Sequence, residues 1–317
     1  MISISSAASL AGLIPASSLF ALSATGIRPL ASVALGLGAA ATWGGSDFAG
    51  GIGARRAPAL LLTFSGHLVT LLALLAVCFF AALPLPHRAA FLEAAIGGVE
   101  GSLALVAFYR ALSMGAMGLT AALTGLLTAL VPVLFGLWSE GLPTPLACAG
   151  LLLGIIAIFL VCYSGRNSPG HNTPPVAIFL GAISGIGFGV QLILFKLAAQ
   201  DGVLWALTSA RIGGVLGMSA ILIFAWPGHT SLKGEPPRRI RIGFWRIGIL
   251  AGVLDTAGNL GYTLAAHAGR IDLAATVSSL YPGFTILLAA LILHERPTRT
   301  QTVGMAVALA SVVLLSF

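Results

Sequence analysis

The chain has 317 residues, of which 58% are hydrophobic and 8% charged, with a mean hydropathy of +1.02. An ordinary soluble domain carries roughly 25% charged residues, so this composition excludes a water-covered globule and places the chain in lipid. The net charge of +7 comes from 16 scattered Lys and Arg with no basic helix among aromatics, which excludes nucleic acid as a partner.

Residues 1–27 are rich in Ser and Ala and contain Pro15, and no Lys or Arg precedes Arg28. The charged start of a signal peptide is therefore missing. The apolar part, 10–22, is short for a span, and residues 1–28 read as a disordered or interfacial extension. Beyond it, ten windows reach the roughly 20 apolar residues a helix needs to cross the hydrocarbon core. They are 31–54, 58–82, 89–112, 115–138, 144–164, 174–199, 203–226, 245–267, 270–293 and 298–317. Short punctuation such as Pro84-Leu85-Pro86-His87-Arg88 separates most of them, while 165–175 and 227–242 are longer and polar. The expected fold is an all-α polytopic membrane protein of ten transmembrane helices.

The two sides of the midpoint resemble each other. LTFSGH at 62–67 sits against ALTSAR at 206–211, an offset of 144. EGSLALVAFY at 100–109 sits against DTAGNLGY at 255–262, and SEGLPT at 139–144 against HERPT at 294–298. The offset grows because the 227–242 loop is longer than its counterpart at 83–88. Five crossings per half make the second half enter the membrane from the opposite side. That is an inverted repeat, the internal symmetry of alternating-access transporters. The halves are 31–164 and 174–317, joined by a linker at 165–173.

Three stretches carry a family likeness. AAATWGGSDF (39–48), FYRAL (108–112) and SLYPGFTILLAALILHER (279–296) occur in order and at matching spacing. With them the chain resembles the EamA-type transporters of the drug/metabolite transporter superfamily, over about residues 31–317. The resemblance implies two EamA-like five-helix repeats, a small organic solute as substrate, a lean toward export and cytoplasmic termini. The family often has Arg in the second helix as well as the seventh; here that place is His67, while Arg211 is retained. Pro132 precedes Glu140 by 8 residues, whereas Pro282 precedes Glu295 by 13.

Polar residues inside the spans mark the candidate site. A charge at the centre of a spanning helix costs a few kcal/mol on insertion scales, so an intramembrane carboxylate is a functional candidate by default. Glu100 and its repeat counterpart Asp255 both lie near mid-span and suit proton carriage; the alternative is a structural carboxylate, neutral or paired with Arg211. Arg211 lies deep enough to need a carboxylate or an anionic ligand, with Asp255 or Glu100 as partner. His67 occupies the matching place in the second span, where a packed structural His is the competing reading. Asp47, one turn beyond Trp43, either faces the cavity mouth or pairs with Arg55 or Arg56. Trp43, Tyr109, Gln191, Asn259 and Tyr262 complete the set expected to line a substrate and ion site. Asp255, Asn259 and Tyr262 follow at spacings of four and three, on one helix face. Trp138, Trp226 and Trp245 read as interface anchors.

Glycines at four-residue spacing (Gly97 and Gly101, Gly181, Gly185 and Gly189, Gly213 and Gly217) let helices approach closely in lipid. GIGFG at 185–189 lies inside an apolar span and is not a phosphate loop. Cys78, Cys148 and Cys162 lie in apolar runs without metal-type spacing. The chain has no Walker sequence, no H-E-x-x-H and no G-x-S-x-G. The expectation is thus a non-enzyme without cofactor or metal: a secondary transporter of small organic metabolites such as amino acids, in the bacterial inner membrane. Protons are the candidate coupling ion, and the protein is a monomer or homodimer. The competing functions are a non-transporting membrane scaffold and a membrane-embedded enzyme.

Charge sets the expected orientation. Leaving Arg211 aside, the loops after the odd-numbered spans carry 11 Lys and Arg and the alternate side 4. The positive-inside rule puts the 227–242 loop in the cytoplasm and, with ten spans, both termini outside. This opposes the termini that the resemblance implies.

Overall fold

The computed structural model describes residues 27–55, 57–114, 117–162, 174–224, 244–292 and 298–315. The 1–26 extension, the whole 165–173 linker, the 227–242 loop, Arg56 and the Glu295-Arg296 pair lie outside these residues. The described chain forms α1 (Ile27–Ala54), α2 (Ala59–Phe80), α3 (Arg88–Met114), α4 (Met117–Ser139), α5 (Pro145–Cys162), α6 (Pro175–Ala198), α7 (Val203–Phe224), α8 (Phe244–Ala268), α9 (Ile271–Ser278), α10 (Tyr281–Ile292) and α11 (Arg299–Leu315). A single 3-10 turn, Ala199–Asp201, joins α6 to α7. No strand occurs among the described residues.

These helices form because each window is apolar and each boundary carries Pro or Gly. Pro58 precedes α2 and Pro174 precedes α6 with extended backbone, a conformation proline favours ahead of a first turn. Gly202 takes φ 120° at the turn into α7, outside the range of most side chains. Ala59–Phe80, Arg88–Met114, Pro175–Asp201, Val203–Phe224 and Ile271–Ile292 are long and apolar enough to cross a membrane. Leu123–Ser139, Pro145–Leu160 and Arg299–Leu315 are shorter apolar helices. Large side chains such as Phe79, Phe80, Trp138, Leu216 and Phe224 point outward and are exposed, as expected where lipid is the solvent.

One expected span is two helices. The window at 270–293 breaks at Ser279-Leu280, between α9 and α10. Pro282 has no N–H to donate, and its ring would clash with the carbonyl of residue 278 in a continuing helix. The turn closes through Leu280 N–H to Val277 O (3.2 Å) and Gly283 N–H to Leu280 O (2.9 Å). Pro132, by contrast, lies inside a continuous α4.

The core is built by helices from both halves. α1 packs on α8 and α10, α3 on α6 and α7, α2 on α7 and α8, α4 on α6, and α5 on α11. Glycine permits the closest of these approaches. A Cβ on Gly98 of α3 would overlap the Ala210 carbonyl of α7, and one on Gly66 of α2 would meet the backbone of Gly248 and Gly252 in α8. The Gly181–Gly185–Gly189 row lies on Thr120, Thr124 and Val131 of α4, so this small-residue stripe packs within the chain. Polar links tie the halves together at one end of the bundle. Glu140 pairs with Lys196. Arg270 donates to Asp272 (2.8 Å) and to the Glu140 and Gly141 carbonyls (3.1 and 2.5 Å). His87 meets Asp201 at 2.8 Å.

Candidate functional site

Three helices meet at Arg211. The Gly66–Gly252 approach brings α2 against α8, and the Gly98–Ala210 approach brings α3 against α7. These contacts set His67, Arg211 and Asp255 within reach of one another. Arg211 Nη2 donates to Asp255 Oδ2 at 2.5 Å and to Thr256 Oγ1 at 2.9 Å. Arg211 Nη1 lies 2.6 Å from His67 Nε2. A guanidinium has no acceptor, so Nε2 accepts and the ring proton sits on Nδ1, 3.1 Å from Ser102 Oγ. Ser102 passes its own proton to the Gly98 carbonyl at 2.6 Å. Every member of this chain of hydrogen bonds is satisfied, as a buried polar network must be to be stable.

The network continues to a cavity wall. Asn259, one turn beyond Asp255 on α8, donates to Asp255 Oδ2 at 3.2 Å and accepts from the Trp43 indole at 3.2 Å. Trp43 stacks on Tyr262 with ring centroids 6.0 Å apart and meets Tyr281 edge-on at 6.2 Å. The cavity is lined by Trp43, Asp47, Leu105, Thr128, Phe188, Gln191, Leu192, Asp255, Asn259 and Tyr281. Its walls come from α1, α3, α4, α6, α8 and α10, three helices from each half. Gln191 fits because Gly101 leaves room for its amide.

Of the ten residues expected at the site, Trp43, Asp47, Gln191, Asp255 and Asn259 line this cavity. His67 and Tyr109 border a smaller neighbouring one, which shares Leu105 and Asp255. The Tyr109 hydroxyl lies 3.2 Å from Ser46 Oγ. Tyr262 lines neither; fully buried, it supports Trp43 from behind and donates to the Leu192 carbonyl at 2.9 Å. Arg211 stands behind Asp255 rather than in the larger cavity. Glu100 is not brought to the cluster. It packs against Gly187 of α6, and its Oε2 has no hydrogen-bond partner among the described residues. Asp47 makes no ion pair or hydrogen bond with a described residue; Arg55, two turns along, is exposed. Tyr281, Phe188 and Thr128 line the cavity without having stood out in the sequence. The YPG that opens α10 is the one signal among them, since it marks the helix break.

The EamA-like transporter family matches residues 175–317, starting at the first residue of α6. A protein of Lactiplantibacillus plantarum named for sugar uptake is 30% identical over 203 residues, 59% of this chain and 67% of that protein. An uncharacterized protein of Methanocaldococcus jannaschii is 24% identical over 140 residues, 44% of this chain and 96% of the relative. A solved crystal structure superposes with a TM-score of 0.65 at 16% identity, covering 89% of this chain and 95% of its own, a likeness of fold alone.

Proposed function

The chain belongs to the EamA-like transporter family, a family of multi-pass membrane transporters, and from that membership we propose that it is a secondary active exporter of small organic metabolites working by alternating access. In this reading the ten spanning segments, with α9 and α10 as one crossing, form two inverted five-helix repeats in the bacterial inner membrane. The helix pairing supports it. The contact of α1 with α8 has its equivalent in that of α6 with α3, and the contact of α2 with α8 in that of α7 with α3.

The observation that carries the proposal is the Arg211–Asp255 pair behind a cavity walled equally by both halves. A buried ion pair contributes little net stability compared with apolar packing; its place beside a central cavity suits a function. Of the amino acids and related compounds expected as substrates, it is the amino group that suits a site of aromatic rings, amides and carboxylates. A second reading, uptake of a sugar, is favoured by the name of the Lactiplantibacillus relative and by the Trp43, Tyr281, Asn259 and Gln191 lining.

Energy comes from a proton gradient through Glu100 or Asp255, or from solute exchange. The test is flux in reconstituted vesicles across a metabolite library, with and without a pH gradient, for wild type, Glu100→Gln and Asp255→Asn. Solute flux in wild type with gradient dependence lost in one variant is expected. No flux of any solute would return the protein to a scaffold role, and undiminished gradient-driven flux in both variants would remove both acids from the coupling.

A further inference from the structure

The cavity is lined by a carboxyl group that no described residue pairs. Arg211 is the cation nearest the site, and its guanidinium is already committed to Asp255, Thr256 and His67. His67 accepts a hydrogen bond from it as a neutral imidazole and so adds no charge. Asp47 is then left over. It is 9% exposed, lines the cavity, and has no hydrogen-bond or ion-pair partner among the described residues. No described Lys, Arg or His lines that cavity. A carboxylate so placed is costly to keep charged without a partner: it either takes up a proton or meets a cation that arrives through the cavity.

The other walls say what kind of partner. Trp43 lies one turn before Asp47 on the same face of α1, and Phe188 and Tyr281 complete an aromatic lining. Aromatic faces attract ammonium groups by their quadrupole, Trp most strongly. A hard metal cation instead needs six or more oxygen ligands, and no group of three or more His, Cys, Asp or Glu able to hold a metal occurs among the described residues. With Arg211 spent on Asp255, no free cation remains among the cavity's described neighbours to take a carboxylate on the ligand.

Resting on the transporter reading above, we propose that the cavity takes a small organic ammonium compound, whose cationic nitrogen binds Asp47 against the Trp43 ring. A monocationic amine is preferred over the corresponding zwitterionic amino acid and over a neutral solute of the same shape.

The test uses the purified full-length chain in detergent, with thermal unfolding and tryptophan fluorescence as binding readouts. The probes are choline and 2-phenylethylammonium. Their counterparts are 3,3-dimethylbutan-1-ol, N-acetyl-2-phenylethylamine and phenylalanine, with sodium chloride as the inorganic arm. At least one ammonium probe should bind on the order of tenfold or more tightly than its counterparts, in line with removal of a charge–charge contact. Asp47→Asn should abolish that preference without lowering the melting temperature of the ligand-free protein, and Asp47→Glu should retain part of it. The inference is overturned if neither ammonium probe binds, if the neutral or zwitterionic counterparts bind as tightly, if Asp47→Asn binds the ammonium probes like wild type, or if sodium stabilises as much as choline. Flux of an uncharged solute that survives Asp47→Asn would sink this inference and leave the transporter reading standing. Ammonium binding through Asp47 without flux of any solute would do the reverse.

Discussion

His67 and Arg211 stand 144 residues apart in the chain and 2.6 Å apart in space. By the sequence offset that sets LTFSGH against ALTSAR, they hold matching places on α2 and α7. In the inverted-repeat reading proposed above, equivalent positions of the two halves meet only near the axis that relates them. Two arginines there would set two guanidiniums against each other with Asp255 as their shared carboxylate. A histidine in one half removes that repulsion, because a neutral imidazole accepts the hydrogen bond that a second guanidinium cannot. The departure from the two-arginine pattern therefore has a physical consequence: Asp255 and Arg211 balance one to one.

That balance makes Arg211 and Asp255 interdependent. Arg211→Ala is expected to abolish transport and to cost about 3–5 kcal/mol in stability, the usual effect of stranding one member of a buried pair. Arg211→Lys keeps the charge but loses the fork that reaches His67 and Asp255 together, so it should weaken transport and still fold. Combining Arg211→Ala with Asp255→Ala should recover folding yield over the single variant, but not activity. Equal flux for wild type and Arg211→Ala would remove Arg211 from the site. A double variant folded no better than the single would deny that Asp255 is the group left stranded.

Much of this cluster was legible in the sequence because charge inside an apolar window is conspicuous. Arg211 and Asp255 stood out for that reason, and His67 through the repeat. Depth was readable, but direction around the helix was not. Glu100 sits at the same level of α3 as Ser102, two residues on, yet two residues turn a helix by about 200°. Ser102 faces His67, and Glu100 faces Gly187 on α6 instead. The hydroxyls that complete the network left no trace in the sequence. Ser102 and Thr256 each also bond to the carbonyl four residues back, as Ser and Thr in apolar helices commonly do. The split of the ninth segment was not anticipated, although Pro282 supplies its cause.

Gly98 should tolerate no side chain. A Cβ there would overlap the backbone of Ala210, which carries the residue just before Arg211 and cannot swing aside as a side chain would. Gly98→Ala is expected to lower stability by about 1–3 kcal/mol or more, the range for overpacking a fitted interface, and to reduce transport by displacing α7. A methyl group added at Gly38, on the exposed face of α1, would meet nothing within 4 Å, so Gly38→Ala is the matched control and should be near neutral. Thermal unfolding in detergent compares the two. An equal, small effect at both positions would mean the α3–α7 approach is looser than described.

The Asp201–His87 contact links the α2–α3 and α6–α7 connections, and it carries a pH signature. Hydrogen bonds from the His87 backbone N–H (2.7 Å) and ring hold the Asp201 carboxyl below its ordinary value of 3.8. A carboxylate depressed in the folded state contributes stability above its unfolded pKa and loses it as pH falls through the folded one. The melting temperature of wild type should therefore exceed that of Asp201→Asn at pH 5 and above, with the gap closing as pH drops below about 3.8. The site is surface-exposed, so the gap should be small and should shrink in high salt. A gap that does not change between pH 5 and pH 3 would assign the effect to something other than this carboxylate.

Orientation is the last expectation, and two lines of reasoning oppose each other on it. The resemblance implies cytoplasmic termini. The charges say otherwise: 11 Lys and Arg lie on the side of the 227–242 loop and 4 on the other. Translocating a short, strongly basic loop is disfavoured, and the bias is counted over such loops rather than over the whole chain. Lys233, Arg238, Arg239 and Arg241 concentrate it in one segment, and a helix added before residue 27 would move only the N-terminus. The charge argument is the more local and the more physical of the two, so the 227–242 loop is expected in the cytoplasm. A cysteine placed at Ser231, in a background without Cys78, Cys148 and Cys162, should resist a membrane-impermeant thiol reagent added to whole cells and react once the cells are opened. Ready labelling from outside would reverse the orientation and bring the chain into line with the family habit.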